Sequence, residues 1–253
     1  MQTVAIIPAR YASTRLPGKP LVLIGGKPMI RRVYERALRC KLLDKVVAAT
    51  DDRRIVEAVE AFAGNAVLTR ADHPSGTDRL DEAADLLGLA DEDLIVNIQG
   101  DEPLLDPRMI GVLVRAAIEP GVEMATLAYP GASVEEFLDP NTVKVVTDAG
   151  GKALYFSRSP IPFSRDGAGG NLRFLKHLGF YAYRRRFLRQ FTALPPGVLE
   201  STEKLEQLRA LENGHSIRVA LSPVDSLSVD TPEDLERVRA IFLEGRQTGS
   251  RKN

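Results

Sequence analysis

VAIIPARYASTRLPGKPL, residues 4–21, sets the architecture of this 253-residue chain. It begins as a short apolar strand, Val4 to Ile7, and runs into a loop carrying Arg10, Arg15 and Lys19. The first acidic residue is Glu35, and six cations precede it: Arg10, Arg15, Lys19, Lys27, Arg31 and Arg32. The whole chain balances 34 basic against 34 acidic residues, so this is a local concentration on a neutral background. A loop with fixed cations and backbone donors at a strand end suits a polyphosphate. Composition alone leaves a solvated basic loop as the alternative.

Outward from this stretch, strand-like and helical runs alternate. A helix over about 28–39 is followed by a strand at Lys45–Thr50 and a helix at about 53–63 that Gly64 can end. Val67–Thr69 leads into a helix near 78–87, and Leu94–Ile98 into QGDEP (99–103) and a helix over about 107–118. Such alternation predicts an α/β fold with a mostly parallel sheet and helices on both faces. The rhythm breaks at Val143–Thr147, DAGG (148–151) and Ala153–Phe156, which read as a β-hairpin. We expect one domain over 1–245 with an inserted antiparallel lobe at about 143–183. A Gly-rich loop at 164–171 and a frayed polar tail at 246–253 complete that picture. A helix at 202–212, a strand at Ile217–Leu221 and a helix entered through Thr231, Pro232 and Asp234 return the chain to α/β order.

Composition excludes several classes. No apolar run nears the roughly 20 residues that cross a bilayer. The N-terminus lacks a signal-peptide pattern. A single cysteine, Cys40, forbids an internal disulfide and suits a cytoplasmic location. Zero net charge argues against nucleic acid or membrane as a partner. The loop carries neither a Walker motif, since Pro20 and Pro28 follow Gly18-Lys19 and Gly26-Lys27, nor a Gly-x-Gly-x-x-Gly fingerprint. An ATPase or a hydride-transfer enzyme is therefore disfavoured, and a nucleotidyltransferase holding a triphosphate fits.

In an open parallel sheet, ligands bind beyond the carboxyl ends of the strands. That rule gathers the cationic loop, Thr50 with Asp51 and Asp52, SGTDR (75–79), and Gln99 to Pro103 at one edge. Asp101 and Asp230 are hard oxygen ligands of the kind Mg2+ takes; equally, Asp101 can serve a turn and Asp230 a helix entry. Ala9, Thr50, Asp51, Ser75 and Gly76, with Arg79 nearby, are candidates for a base pocket. Gly76 would let a base approach the backbone closely, or lie in a surface turn, and Asp51 could instead cap the next helix.

IIPARYASTRLPGKPL, TRADHPSGTDR, VNIQGDEP, VKVV, ALYFSR, HLGFYAYR, LEQLR and VDTPEDLERVRA, in this order from about Val4 to Ala240, resemble the 3-deoxy-manno-octulosonate (KDO) cytidylyltransferases of the sugar-nucleotidyltransferase superfamily. The resemblance implies a Rossmann-like fold and transfer of CMP from CTP to KDO, releasing pyrophosphate, for lipopolysaccharide biosynthesis. It implies Arg10, Arg15 and Lys19 on the β- and γ-phosphates, and Mg2+ on Asp101 and Asp230. Gln99 would serve both substrates, while Arg158, His177, Tyr181, Glu206 and Gln207 match positions that bind the sugar acid. A homodimer is expected from the same source. Left to themselves, His177 reads as structural and Glu206 and Gln207 as exposed mid-helix residues. His177 and Tyr181, four apart in a strand-like run, should share a face. The segment between Pro162 and Phe174 is shorter than in the family, which bears on sugar selectivity. An amino-substituted octulosonate or sialic acid as acceptor, or a non-catalytic nucleotide-binding regulator, are the competing expectations.

Overall fold

The computed structural model describes residues 1–12, 16–165 and 173–249. In chain order its first half holds β1 (Thr3–Ala9), β2 (Leu23–Ile24), β3 (Lys27–Pro28), α1 (Met29–Ala37), β4 (Lys45–Thr50), α2 (Arg53–Glu60), β5 (Asn65–Leu68) and α3 (Gly76–Leu86). Then come β6 (Leu94–Asn97), α4 (Pro107–Ala117), β7 (Met124–Pro130), α5 (Val134–Leu138), β8 (Lys144–Thr147) and β9 (Ala153–Ser157). The chain finishes with β10 (Leu175–Arg184), α6 (Arg185–Ala193), α7 (Val198–Glu203), α8 (Leu208–Glu212), β11 (Arg218–Leu221) and α9 (Pro232–Gly249).

Contacts divide these elements into two compact units. The N-terminal unit comprises residues 2–89, 97–107 and 226 onward; the central unit comprises Met1, 90–96 and 108–225. The expected lobe at 143–183 falls inside the central unit, which starts earlier and ends later.

In the N-terminal unit, β1 pairs in parallel with β4, and β4 with β5. Val4, Ala5, Ile6 and Ile7 are fully buried, which explains why β1 is a continuous apolar run rather than an alternating one. A second cluster joins Ile24, Met29, Val229, Leu235 and Val238, with Leu16, Val22 and Leu104 packed against it. Burying side chains of this size contributes roughly 1.5–3 kcal/mol each, and here the burial fixes the chain on either side of Lys19 and Asp230. The entry to α9 follows the sequence reading: Asp234 Oδ2 accepts from the Thr231 N–H at 2.9 Å, and Thr231 Oγ1 accepts from the Asp234 N–H at 3.2 Å. The helix runs on to Gly249, into the stretch expected to fray.

In the central unit, β10 lies antiparallel to both β7 and β8, β8 antiparallel to β9, and β11 parallel to β7. The hairpin is where the sequence placed it. β7 was not foreseen, and it ties the antiparallel strands into a mixed sheet. The class remains α/β, as expected.

Two local expectations are corrected. The left-handed residue after α2 is Ala63 (φ 58°), not Gly64; a Cβ on Gly64 would sit 2.7 Å from the Phe62 and Val59 side chains, so close packing demands that glycine. The helix expected at 202–212 is broken: Lys204 turns left-handed (φ 53°) between α7 and α8, which puts Glu206 and Gln207 in a turn. Most of the 164–171 loop lies outside the described residues.

Candidate active site

Where β1 ends, the N-terminal unit opens a pocket of about 380 Å3 lined by Pro8, Ala9, Arg10, Ala12, Lys19, Pro20, Gly76, Gln99, Gly100, Asp101 and Asp230. The sequence had selected seven of these. It missed Pro8, Ala12, Pro20 and Gly100, which contribute backbone and small apolar surface. Gly100 had a readable signal in its place beside Gln99, since a Cβ there would lie 2.9 Å from the Pro8 carbonyl oxygen. Only glycine lets the 99–101 turn approach β1 so closely.

The loop that carries Lys19 is tied to itself. Gly18 (φ 66°) donates to the Tyr11 carbonyl at 3.1 Å, and Leu21 donates back to Gly18 at 2.8 Å. Lys19 is thereby turned inward: its Nζ donates to Asp101 Oδ2 at 2.6 Å and to Asp230 Oδ1 at 3.2 Å. Arg10 donates to the His73 carbonyl at 2.7 Å, and His73 itself pairs with Glu82. Arg15 lies outside the described residues. The other early cations are spent elsewhere. Lys27 and Arg31 hold Glu35, and Arg32 donates to the Ile24 and Gly25 carbonyls. Of the six, the pocket is lined by Arg10 and Lys19 among the described residues.

Among the described residues no group of three or more His, Cys, Asp or Glu is arranged to hold a metal. Asp101 and Asp230 are two carboxylates already sharing one cation, the Lys19 ammonium. Mg2+ takes one or two carboxylates and completes its shell with water and phosphate oxygens, so the pair fits such an ion.

The predicted base-pocket residues divide. Gly76, the first residue of α3, lines the pocket, and a Cβ there would make only ordinary contact with Pro8, at 3.7 Å. Ser75 instead caps α3, accepting from Thr77 and Asp78 while its own N–H donates to Asp78. The sequence signal for that was the Ser-x-x-acid spacing. Thr50 is fully buried and accepts from the Asp52 N–H. Asp52, not Asp51, caps α2, accepting from the Arg54 N–H at 2.9 Å. Asp51 accepts from Arg79, whose fully buried guanidinium also donates to Thr69 Oγ1 at 2.5 Å and the Arg70 carbonyl at 3.1 Å.

Because the fold has room for a methyl group at Gly76, Gly76→Ala should fold normally. It should match or exceed wild type in stability by up to about 1 kcal/mol while weakening CTP binding, as thermal unfolding and calorimetric titration would read. Unchanged CTP affinity would remove Gly76 from the binding surface.

The residues matched to the sugar acid lie in the central unit. Arg158 donates through Nε to the Glu203 carbonyl at 2.7 Å and through Nη1 to Pro140 at 2.9 Å. Its guanidinium is thus braced on backbone carbonyls, which carry no net charge. Below it, fully buried Lys144 donates to the carbonyls of Asp139, Thr142 and Arg158; burial lowers its pKa. Gln207 is 4% exposed, against the expectation of an exposed residue, and its Nε2 is a buried donor without a partner among the described residues. Burial, reinforced by Glu206, raises the Tyr181 phenol pKa.

His177 and Tyr181 do meet, with ring centroids 5.4 Å apart, although a bulge between Leu178 and Tyr181 interrupts the regular alternation. Thr126 Oγ1 donates its one proton to the Phe180 carbonyl at 2.7 Å and lies 2.9 Å from His177 Nε2. The imidazole therefore carries its proton on Nε2 and donates to Thr126. Burial holds the ring neutral, its pKa pushed down from 6.5 to about 3. The unfolded chain accordingly takes up this proton first as pH falls. This contribution to stability is whole above pH 6.5 and is lost on the way down to about 3. Urea midpoints measured across that window should fall less steeply in His177→Gln than in wild type; parallel curves would refute the assignment.

An α/β fold whose strand-end pocket joins fixed cations to a carboxylate pair defines an enzyme of the nucleotidyl-transfer class. Residues 4–217 match the Cytidylyltransferase family, and the chain belongs to that family. The 3-deoxy-manno-octulosonate cytidylyltransferase of Syntrophobacter fumaroxidans is 64% identical over 245 residues, 96% of this chain and 98% of the relative. The 8-amino-3,8-dideoxy-manno-octulosonate cytidylyltransferase of Shewanella amazonensis is 55% identical over 239 residues, 94% of this chain and 97% of the relative. The solved structure of CMP:2-keto-3-deoxy-manno-octonic acid synthetase complexed with CTP is similar with a TM-score of 0.91 and 46% identity, covering 97% of this chain and 100% of that one. The resemblance carried by the eight motifs is borne out.

Proposed function

We propose that this cytidylyltransferase moves CMP from CTP to 3-deoxy-manno-octulosonate, giving CMP-KDO and pyrophosphate. One observation carries the reading: Arg10, Lys19, Asp101 and Asp230 line one pocket at the end of β1, in a chain 64% identical over nearly its whole length to a KDO cytidylyltransferase. In this reaction the anomeric hydroxyl of the sugar acid attacks the α-phosphorus, the bond to the bridging oxygen breaks, and pyrophosphate leaves with its charge. The chemistry asks mainly for positioning and charge stabilisation. Arg10 and Lys19, with Arg15, bind the β- and γ-phosphates and stabilise the leaving group. Gly76 receives the base, and Gln99 lies on the same pocket wall. Asp101 and Asp230 would hold Mg2+, which when bound supplies Lewis-acid charge neutralisation at the phosphates. In the central unit, Arg158 offers its charge to the sugar carboxylate, and Gln207, Tyr181 and His177 offer polar atoms to its hydroxyls.

Pyrophosphate release with CTP and KDO, measured with and without Mg2+, tests the reading; no release with any octulosonate would sink it. The Shewanella relative gives a second acceptor, the 8-amino sugar, specific support. Comparing kcat/KM for the two acceptors decides between them. A homodimer belongs to the same proposal and is checked by light scattering. So does a cytoplasmic location, with which the single buried thiol Cys40 accords. Among the described residues no helix is long and apolar enough to cross a membrane.

A further inference from the structure

The Lys19 ammonium stands on the oxygens that a divalent cation would need. Its side chain is 16% exposed, and its two carboxylate partners, Asp101 and Asp230, are 25% and 40% exposed. An ammonium and a divalent ion compete for this pair, because they seek the same carboxylates and repel one another. We propose that Lys19 is a built-in place-holder: without nucleotide it offsets one of the two charges of Asp101 and Asp230 and competes with metal for them, and the triphosphate draws it off and opens the pair. This rests on the reading of Asp101 and Asp230 as the metal ligands.

The residue type and its setting suit the task. Lysine is a compact charge on a flexible stem with three rotatable donors, so it can exchange carboxylate for phosphate oxygens without preserving a planar fork. The backbone beneath it is fixed by the Gly18–Leu21 turn and by buried Pro20, which leaves the movement to the side chain. Arg10, the neighbouring cation, is bonded to the His73 carbonyl. Two consequences follow for the site. The carboxylates repel an arriving triphosphate less, because one of their two charges is already offset. Metal and nucleotide also strengthen each other's binding by the same factor, as linkage requires. Two charge-assisted contacts place that factor at about tenfold or more.

Mn2+ titrations followed by electron paramagnetic resonance on nucleotide-free wild type, Lys19→Met and Arg10→Met test the inference. Lys19→Met should bind Mn2+ about tenfold or more tightly than wild type, and Arg10→Met should gain clearly less. Adding CTP should then tighten Mn2+ binding less in Lys19→Met than in wild type. No gain in Lys19→Met, or an equal gain in Arg10→Met, overturns the place-holder. Adding Asp101→Asn to Lys19→Met separates this from the underlying reading. If the newly bound Mn2+ survives that change, the metal does not sit on the pair and the ligand assignment itself fails. If Lys19→Met shows no gain while CTP-loaded wild type binds Mn2+ in an Asp101-dependent way, the assignment stands and only the place-holder falls.

Discussion

Asp101→Asn should fold like wild type and release pyrophosphate about 10²–10³-fold more slowly, the usual cost of removing one preorganised electrostatic group. Folding should survive because the backbone at this position does the structural work. The Asp101 carbonyl accepts from the Val229 N–H at 2.9 Å, and asparagine keeps that contact together with the size of the side chain. Lys19 retains Asp230 at 3.2 Å, so no ammonium is stranded. The loss should appear chiefly in kcat, since for CTP binding the loss of a negative charge and the loss of metal linkage oppose one another. Asp230→Asn should behave similarly, and the double variant should be little worse than either single one, because groups that act as a unit do not add. Thermal unfolding beside a pyrophosphate assay checks all three. Near-normal turnover in Asp101→Asn would remove the carboxylate pair from the mechanism.

The parts of this fold legible in sequence are those decided by local chemistry. β1 announced itself because a buried parallel strand is apolar on both faces, and α9 because Thr231, Pro232 and Asp234 form a cap whose partners are neighbours in the chain. What stayed hidden depends on distant partners. β7 reads MATLAYP, whose small residues and terminal proline give no strand signal until β10 and β11 flank it. STEKLEQLRALE (201–212) looks like one helix, yet Arg158 takes the Glu203 carbonyl at 2.7 Å and the Lys204 carbonyl at 3.5 Å, and the helix stops there. The candidate site divides along the same line. Arg10, Lys19, Gly76, Gln99 and Asp101 follow from strand-end positions and Asp230 from the entry to the last helix and the family resemblance, and the pocket gathers them. That Lys19 faces the carboxylates could not be read from the spacing of residues 19, 101 and 230. Nor could a motif distinguish Arg79, which touches the site only through other residues, from an arginine that lines it.

Arg79→Met should lower stability by about 2–4 kcal/mol, somewhat below the cost of breaking a fully buried pair, because Asp51 is 19% exposed and water can relieve part of the loss. For a chain of this size that is a fall in Tm of roughly 5–12 °C. Two effects oppose each other here. Methionine keeps the apolar stem packed and removes the Nε donor, which is buried and has no partner among the described residues; against that, Asp51, Thr69 and the Arg70 carbonyl each lose a charge-assisted bond. The second effect wins because it involves three acceptors, one of them a carboxylate. Arg79→Lys should recover only part of the loss, since an ammonium cannot span the acceptors that the guanidinium fork reaches at once. Asp51→Asn placed on Arg79→Met should return some stability, because the carboxylate left behind is the largest single penalty. These outcomes mark Arg79 as a positioning residue that fixes the ends of β4 and β5 behind the pocket. Were it a direct nucleotide contact, Arg79→Met would keep its Tm and lose CTP affinity, and calorimetric titration beside thermal unfolding distinguishes the two. A carboxylate held by a buried guanidinium cannot swing freely, so Asp51 holds the end of β4 in one position.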